Sequence, residues 1–459
     1  MMDGKIEGIL QQLLENITEI DFRNYFETDD NKTKLQKKHF LIPVIDNLLL
    51  KTNQNEFSLC RKNGMIYLYN GQYWEYVEAE KFKDFLGQVA QKSGVDKYDA
   101  RYYLFKDDLT KQFMSDAGLK EIPTNSKTLV NLKNGTFEIS TKEQILRKFE
   151  KADFLTYQLP FEFIPNSDAP TFMRFINRVL PEKELQNVLA EYLGYIFIKN
   201  SVLKLEKVMI LFGSGANGKS VLFEIISALL GEQNITSFSL SSLTDKNGYF
   251  RAMISHKLLN YASEINGKLE TSFFKQLCSG EPVEARSPHE KPILIRDYAK
   301  LLFNANVLPK EIENTHAYFR RFLIIPFNIT IPPEQQDKEL AQKIISSELS
   351  GVFNWILDGL KRLLENKNFS SSEIVEQQVK IYETESDSVL MFLEDEQYFT
   401  STTHNMKLKE LFQEYKNNCS INNCIPCSEK VFSQKLEKRG FKKKRLSAGY
   451  VIYLEKRSI

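Results

Sequence analysis

An octapeptide constrains this chain more than any other feature. Five apolar residues, Val208-Met209-Ile210-Leu211-Phe212, lead straight into Gly213-Ser214-Gly215-Ala216-Asn217-Gly218-Lys219-Ser220, and a helical segment follows from Val221 to Leu230, ended by Gly231. Strand, glycine loop and helix in that order form the Walker A pattern. The glycines let successive backbone N–H groups turn inward toward phosphate, and the positive end of the helix dipole adds to that field. Lys219 should reach the β- and γ-phosphates and the Ser220 hydroxyl should bind Mg²⁺, so residues Gly213 to Val221 are the expected nucleotide-binding segment. No Asn-Lys-x-Asp guanine reader occurs, which favours ATP.

Between Leu203 and about Phe327, apolar runs alternate with helical segments, the pattern of an α/β layered domain. The strand Lys257 to Ser263 delivers Glu264 at its C-terminal end, where ligands meet an open α/β sheet. Glu264 is therefore the expected catalytic base and, with Ser220, the expected Mg²⁺ ligand. A further strand, Lys300 to Phe303, runs into Asn304-Ala305-Asn306, and either asparagine suits a contact to the γ-phosphate or the lytic water. Arg320 and Arg321 precede the buried run Phe322 to Phe327. One of the pair fits an arginine finger, which neutralises charge on the phosphate held by a neighbouring subunit.

Taken in order, these elements resemble the superfamily 3 helicases. The likeness rests on Ala-Asn-Gly-Lys-Ser, a strand ending in Glu264, Ser279-Gly280-Glu281, an Asn-x-x-Pro segment and Arg-Arg before Pro-Phe. It is greatest for the helicase halves of phage and plasmid primase-helicases, and it extends to replication initiators of staphylococcal pathogenicity islands. Leu132 to Glu138 looks like the module preceding the helicase in those proteins and in the poxvirus primase-helicase. The resemblance covers roughly residues 57 to 330. It implies an AAA+-like core, a homo-hexameric ring, ATP between subunits, and 3′ to 5′ translocation on single-stranded DNA. Many members carry two acidic residues where this chain has Ser263 before Glu264. Glu281 to Ile295 reads as strand, polar turn and strand, and resembles the hairpin that such enzymes project into the ring channel. Lys291 is the best match to its basic tip, with Arg286 and His289 beside it and Lys275 a weaker candidate.

Charge decides what else to look for. The 459 residues carry 61 Lys and Arg against 60 Asp and Glu, which excludes a uniformly basic nucleic-acid binder and turns attention to local patches. Residues 430–459 hold ten Lys or Arg against two Glu. There a helix from Ser428, a stop at Gly440, a basic run and the strand Tyr450 to Leu454 read as a winged helix. Lys435 and Lys438 on the helix, and Lys442, Lys443, Lys444 and Arg445 after it, are its expected phosphate contacts to origin DNA. Cys419, Cys424 and Cys427, with His404 as the sole nearby fourth ligand, lack the spacing of a proper zinc site.

The expected organisation is an N-terminal α+β module (1–164), a helical collar (165–202), an α/β ATPase core (203–330), a helical segment (331–385) and the winged helix (386–459). Within the first module, Leu10, Leu13, Leu14 and Ile17 read as surface helices, and Asn-Gly pairs at 63–64 and 70–71 mark hairpin turns. Primase chemistry is not expected, because the N-terminal half offers no Asp-x-Asp on a strand and Asp107-Asp108 reads as a turn. With few cysteines, no signal-like N-terminus and no membrane-length apolar run, the chain is expected in a bacterial host's cytoplasm. The functional expectation is an ATP-dependent replicative DNA helicase of a mobile genetic element that also binds its origin, with single-stranded DNA and host replication proteins as its expected partners. The rivals are a remodelling ATPase and an ATP-gated assembly switch.

Overall fold

The computed structural model describes residues 2–25, 34–54, 56–62, 64–119, 127–140, 143–263, 265, 270–286, 292–309, 315–422, 426–447 and 449–456. At its centre lie five parallel strands: β1 (Val208–Phe212), β2 (Ile235–Thr236), β3 (Leu259–Ala262), β4 (Lys300–Ala305) and β5 (Phe322–Pro326). They are ordered β5-β1-β4-β3-β2. Parallel strands need cover on both faces, so their sequences run apolar without alternation. Successive side chains still point to opposite sides. Met209 and Leu211 of β1 enter one core with Leu302, Leu323 and Ile325, while Val208 and Ile210 enter another with Phe303, Phe322 and Ile324.

The first of these cores is covered by helices α1 (Pro170–Val179), α2 (Lys183–Tyr195), α3 (Lys219–Leu230), α4 (Leu340–Ser347) and α5 (Leu349–Asn366). Collar and following helical segment, far apart in sequence, thus pack as one body. Backbone meets backbone where α2 crosses α5. A Cβ on Gly359 would lie 2.4 Å from the carbonyl carbon of Ala190, and one on Gly194 would lie 2.7 Å from Cβ of Leu360. Polar ties reinforce the join. The buried Glu348 accepts hydrogen bonds from the backbone N–H of Thr171 (3.0 Å) and Phe172 (2.8 Å), capping α1, whose own N-cap residue Ala169 has no side chain that could do so. Glu191, fully buried on α2, accepts from Arg362 Nε (3.1 Å) and from the Ser370 N–H (2.8 Å) and hydroxyl (2.6 Å).

The N-terminal unit combines helices Met2–Asn16, Lys38–Gln54, Ala79–Lys92 and Tyr103–Asp116 with a sheet of Ser58–Lys62, Met65–Tyr69 and Trp74–Val77. Its hairpin turns fall at the expected glycines, Gly64 (φ 78°) and Gly71 (φ 91°). The helix expected around Leu10, Leu13, Leu14 and Ile17 is present, exposed on one side and packing its apolar stripe, with Ile9, on Val44, Ile45 and Leu48. One reading needs correction. Asp107 and Asp108 lie in the middle of helix Tyr103–Asp116, not in a turn. Lys83 pairs with the first at 2.8 Å, and Lys37 and Lys111 with the second. The second small sheet, Thr128–Leu132, Gly135–Ile139 and Gln144–Arg147, falls within the residues expected to form this unit. Its Val130, Leu132, Phe137 and Ile139 instead join the core that covers the central sheet.

The C-terminal unit runs helix Ser388–Asp395, strand Tyr398–Lys407, helices Leu408–Ile421 and Glu429–Lys438, then strands Lys443–Leu446 and Gly449–Lys456. The first strand, which the polar run Ser401 to Asn405 hides, pairs with the last. One apolar cluster holds the unit together, including Phe392, Leu411, Tyr415, Phe432, Leu436 and Ile452. No helix among the described residues is long and apolar enough to cross a membrane.

Candidate nucleotide site and nucleic-acid surfaces

After β1 the chain crosses to β2 at the far edge, and the last strand, β5, returns to the other side of β1. Strand order therefore reverses about β1, and a crevice opens at its C-terminal end. Residues 213–218 turn within that crevice before α3 begins at Lys219. The turn is held from below: the Gly213 N–H donates to the Ala305 carbonyl (3.0 Å), and Asn217 Nδ2 to the Phe327 carbonyl (3.0 Å). Both flanking glycines are required sterically. A Cβ on Gly213 would sit 2.4 Å from the Phe327 oxygen, and one on Gly218 (φ 88°) would sit 2.8 Å from Val179 Cγ1 of α1.

Lys219 is folded into this loop. Its ammonium donates to the carbonyls of Gly213 (2.6 Å) and Ser214 (3.1 Å) and to Asn217 Oδ1 (3.0 Å), and its burial lowers the amine's pKa from the usual lysine range. Above it is a cavity of about 890 Å³, lined by residues 215–221 together with Ser263, Asn304 and Asn306 from the ends of β3 and β4. Asn304 is buried, and its Oδ1 accepts from the buried Tyr261 hydroxyl at 3.0 Å, so the amide nitrogen is the group left to face the cleft. Asn306 is exposed at the rim. Glu264 lies outside the described residues.

The opposite wall was not anticipated. Thr171, Arg174, Phe175 and Arg178 of α1, with Ile331, Gln335, Leu340 and Ala341, complete the cavity, and Arg178 Nη2 donates to Gln335 Oε1. No local motif marks these residues. Phe172, Phe175, Ile176 and Val179 are the buried stripe of α1, and a polar residue between such positions gives no sequence sign of facing a cleft.

Arg320 and Arg321 stand elsewhere. The Arg321 carbonyl accepts from the Val208 N–H (2.8 Å) at the foot of β1, whereas Gly213 is at its head. At roughly 3.3 Å per residue those ends are about 16 Å apart, so both arginines stand away from the glycine loop of their own chain. The two differ in freedom. Arg321 is buried, with Nη2 3.4 Å from the Ser279 hydroxyl and Nη1 bonded to the Ala317 carbonyl. Arg320 is about half exposed, its Nη2 2.7 Å from Glu206 Oε2.

Two further surfaces matter. Val283–Ala285 and Ile293–Ile295 pair antiparallel as the expected hairpin, while His289 and Lys291 lie outside the described residues. The hairpin root is anchored by Arg251, which is buried and donates to the carbonyls of Glu284 (2.7 Å) and Leu243 (3.1 Å), with its guanidinium 3.8 Å over Phe273. Arg286, beside the root, donates its N–H to the Gly248 carbonyl (3.2 Å). In the C-terminal unit the basic residues separate into two groups. Lys435 (2.9 Å) and Arg439 (2.8 Å) pair with the buried Asp387, and Lys443 lies 2.7 Å from the Ser433 hydroxyl. Lys438, Lys442, Lys444 and Arg445 are exposed. Lys435 is therefore held by Asp387 while staying partly exposed. His404 faces Glu455 at 3.1 Å, Tyr415 donates to Cys427 Sγ at 3.4 Å, and Cys424 lies outside the described residues. No group of three or more His, Cys, Asp or Glu that could hold a metal ion occurs among the described residues.

Residues 211–321 match a family of unknown function (DUF5906), and residues 46–181 match the family described as D5 N terminal like. A protein of Acanthamoeba polyphaga mimivirus, provisionally named helicase L207/L206, is 26% identical over 216 residues, which is 43% of this chain and 22% of the relative. The likeness is to a protein provisionally named a helicase. The match spans about a fifth of that relative's length. Among solved structures, the apo C-terminal region of NrS-1 shares the fold: TM-score 0.52 at 13% identity, covering 90% of this chain and 99% of that one.

Proposed function

We propose that the chain is an ATP-driven DNA helicase of the superfamily 3 type, with an AAA+-like P-loop core that works as a hexameric ring and steps 3′ to 5′ on single-stranded DNA. The observation that carries this reading is the cleft at the head of β1. It brings Lys219, Ser220, Ser263, Asn304 and Asn306 to one cavity while leaving Arg320 half exposed at the other end of the sheet. That division suits a site completed by a neighbour.

The loop fits a polyphosphate. Lys219 is held by two carbonyls and an amide oxygen that phosphate oxygens can replace, and the open space above Gly215 admits close approach of an anion to backbone N–H groups. The base and ribose then fall toward Phe175, Ile331, Leu340 and Ala341, the apolar part of the cavity. Ser220 and Glu264 would hold Mg²⁺, which neutralises charge between the β- and γ-phosphates when bound. Asn304, oriented by Tyr261, positions the terminal phosphate or the attacking water, Glu264 takes the water's proton, and Arg320 of an adjacent subunit offsets charge on the transferring phosphoryl group. Hydrolysis moves the hairpin carrying Arg286, His289 and Lys291, which contacts the DNA backbone without reading bases.

The C-terminal unit, whose strand-bounded helix pair and two-stranded basic ribbon support a winged helix, holds duplex DNA through Lys438, Lys442, Lys444 and Arg445. Origin recognition within a mobile genetic element is the use we assign to it. The decisive experiment is unwinding of a forked duplex with ATP and Mg²⁺ by the wild type and by Lys219→Ala. Strand separation by the first and none by the second is expected. ATP binding without strand separation by the wild type would replace the motor with an assembly switch.

A further inference from the structure

Three tyrosines on the N-terminal unit stand outside its core. Asp96 caps the short helix Lys97–Arg101 by accepting from the N–H groups of Tyr98 (2.8 Å) and Asp99 (3.4 Å), and the helix Tyr103–Asp116 follows at once. Ala100, Phe105 and Leu109 of this pair are buried in the unit's core, which fixes both backbones. With those positions turned inward, Tyr98, Tyr102 and Tyr103 are left outward at 78%, 51% and 61% exposure. Tyr102 and Tyr103 meet edge to face, with ring centroids 5.1 Å apart. None of the three hydroxyls bonds to any described residue. Large aromatic rings held on rigid backbone, yet denied to the core, mark a contact surface.

Charge identifies what meets it. The nearby acids are already engaged: Asp84 with Lys106 (2.7 Å), Asp107 with Lys83 (2.8 Å), Asp108 with Lys111 (3.3 Å) and Lys37, and Asp96 with the helix end. Lys97 and Arg101, one helical turn apart and beside the equally spaced Tyr98 and Tyr102, make no ion pair among the described residues. Asp99 is the single acid between them. A folded protein that buried the rings would also desolvate Lys97, Asp99 and Arg101, at a cost in each case. A single-stranded polynucleotide meets no such cost, because its bases stack on the rings while its phosphates stay wet beside the cations. We infer that Tyr98, Tyr102 and Tyr103, with Lys97 and Arg101, form a stacking platform for single-stranded nucleic acid, separate from the hairpin and from the basic C-terminal unit. The identification of that strand as DNA rests on the helicase reading; the platform itself does not.

The test uses the full chain and fluorescein-labelled oligo(dT) without nucleotide, followed by anisotropy at low and moderate salt. The triple variant Tyr98→Ala/Tyr102→Ala/Tyr103→Ala should weaken binding about tenfold or more, from one to two lost stacking contacts. The matching Tyr→Phe triple should bind like the wild type, since the ring and not the hydroxyl is used. Lys97→Ala/Arg101→Ala should lower the salt dependence. An oligonucleotide carrying 5-iododeoxyuridine should photocrosslink within residues 97–103 of the wild type, which reads the platform even where other surfaces dominate affinity. ATP hydrolysis without DNA should be unchanged in every variant. Absence of crosslinks there, together with unaltered affinity of the Ala triple, overturns the platform. A change in oligomeric mass with affinity unaltered also overturns it and makes the rings a contact between copies. Wild type that hydrolyses no ATP but shows these losses refutes the motor and leaves the platform standing.

Discussion

Arg320→Ala should abolish ATP turnover while sparing nucleotide binding by the same chain. The foot of β1, where Arg320 lies, is about 16 Å from the glycine loop at its head, so under the proposed function the guanidinium would serve a nucleotide held by another copy. Losing an arginine finger costs about 10³- to 10⁵-fold in kcat, and the exposed ion pair with Glu206 contributes at most about 1 kcal/mol to stability, so the variant should fold normally. Arg321→Ala should differ, because that side chain is buried against Ala317 and Ser279 and its loss should lower the melting temperature. The assay that isolates the argument is subunit mixing. Arg320→Ala and Lys219→Ala proteins, each inactive alone, are combined in equal amounts. A junction works when its loop comes from the first and its arginine from the second, so random mixing in a ring restores about a quarter of wild-type hydrolysis. Failure of the mixture to recover activity, while labelled subunits demonstrably co-assemble, would refute the trans assignment. Full activity of Arg320→Ala alone would do so more directly.

Two further expectations concern groups that support the surfaces rather than contact a ligand. Tyr261→Phe removes the hydroxyl that orients Asn304 and should lower kcat about tenfold with KM for ATP little changed, as steady-state hydrolysis would show. Burial works to raise the Asp387 carboxyl, but hydrogen bonds from Arg439 and Lys435 outweigh it and hold the group below the usual aspartate range. A carboxyl depressed by folding adds stability that is complete above its unfolded pKa, near 4, and is lost as pH falls through the folded value. Asp387→Ala should remove that term together with the N-cap of Ser388–Asp395, about 2–3 kcal/mol, because the two cations left behind are only partly buried. Thermal unfolding from pH 7 to 3 should then show a shallower acid loss in the variant than in the wild type.

What could be read from residues alone follows from the range of the interactions concerned. The strand, glycine turn and helix around Lys219 were legible because their signals are local: Gly213, Gly218, Lys219 and Ser220 sit within eight positions, and β1 and α3 flank them without interruption. The strand ends at Ser263 and Asn304 were legible for the same reason, since a parallel sheet delivers every C-terminal end to one edge. The cleft wall at Arg174, Arg178 and Gln335 was not, because it forms only when α1 meets a segment some 160 residues later. Lys435 shows the opposite failure. Its membership of a basic run was visible, but its partner Asp387, 48 residues upstream, was not. The strand Tyr398–Lys407 was hidden because an edge strand facing water needs no apolar alternation.

The join between α2 and α5 sets how the cleft can open. With main chain against main chain at Gly194 and Gly359 and Glu348 clasping the start of α1, the segments before and after the sheet cannot slide past one another without breaking contacts that have no slack. The helices before and after the sheet therefore belong to one packed body, and any change in the width of the cleft has to carry α1, α2 and α5 together.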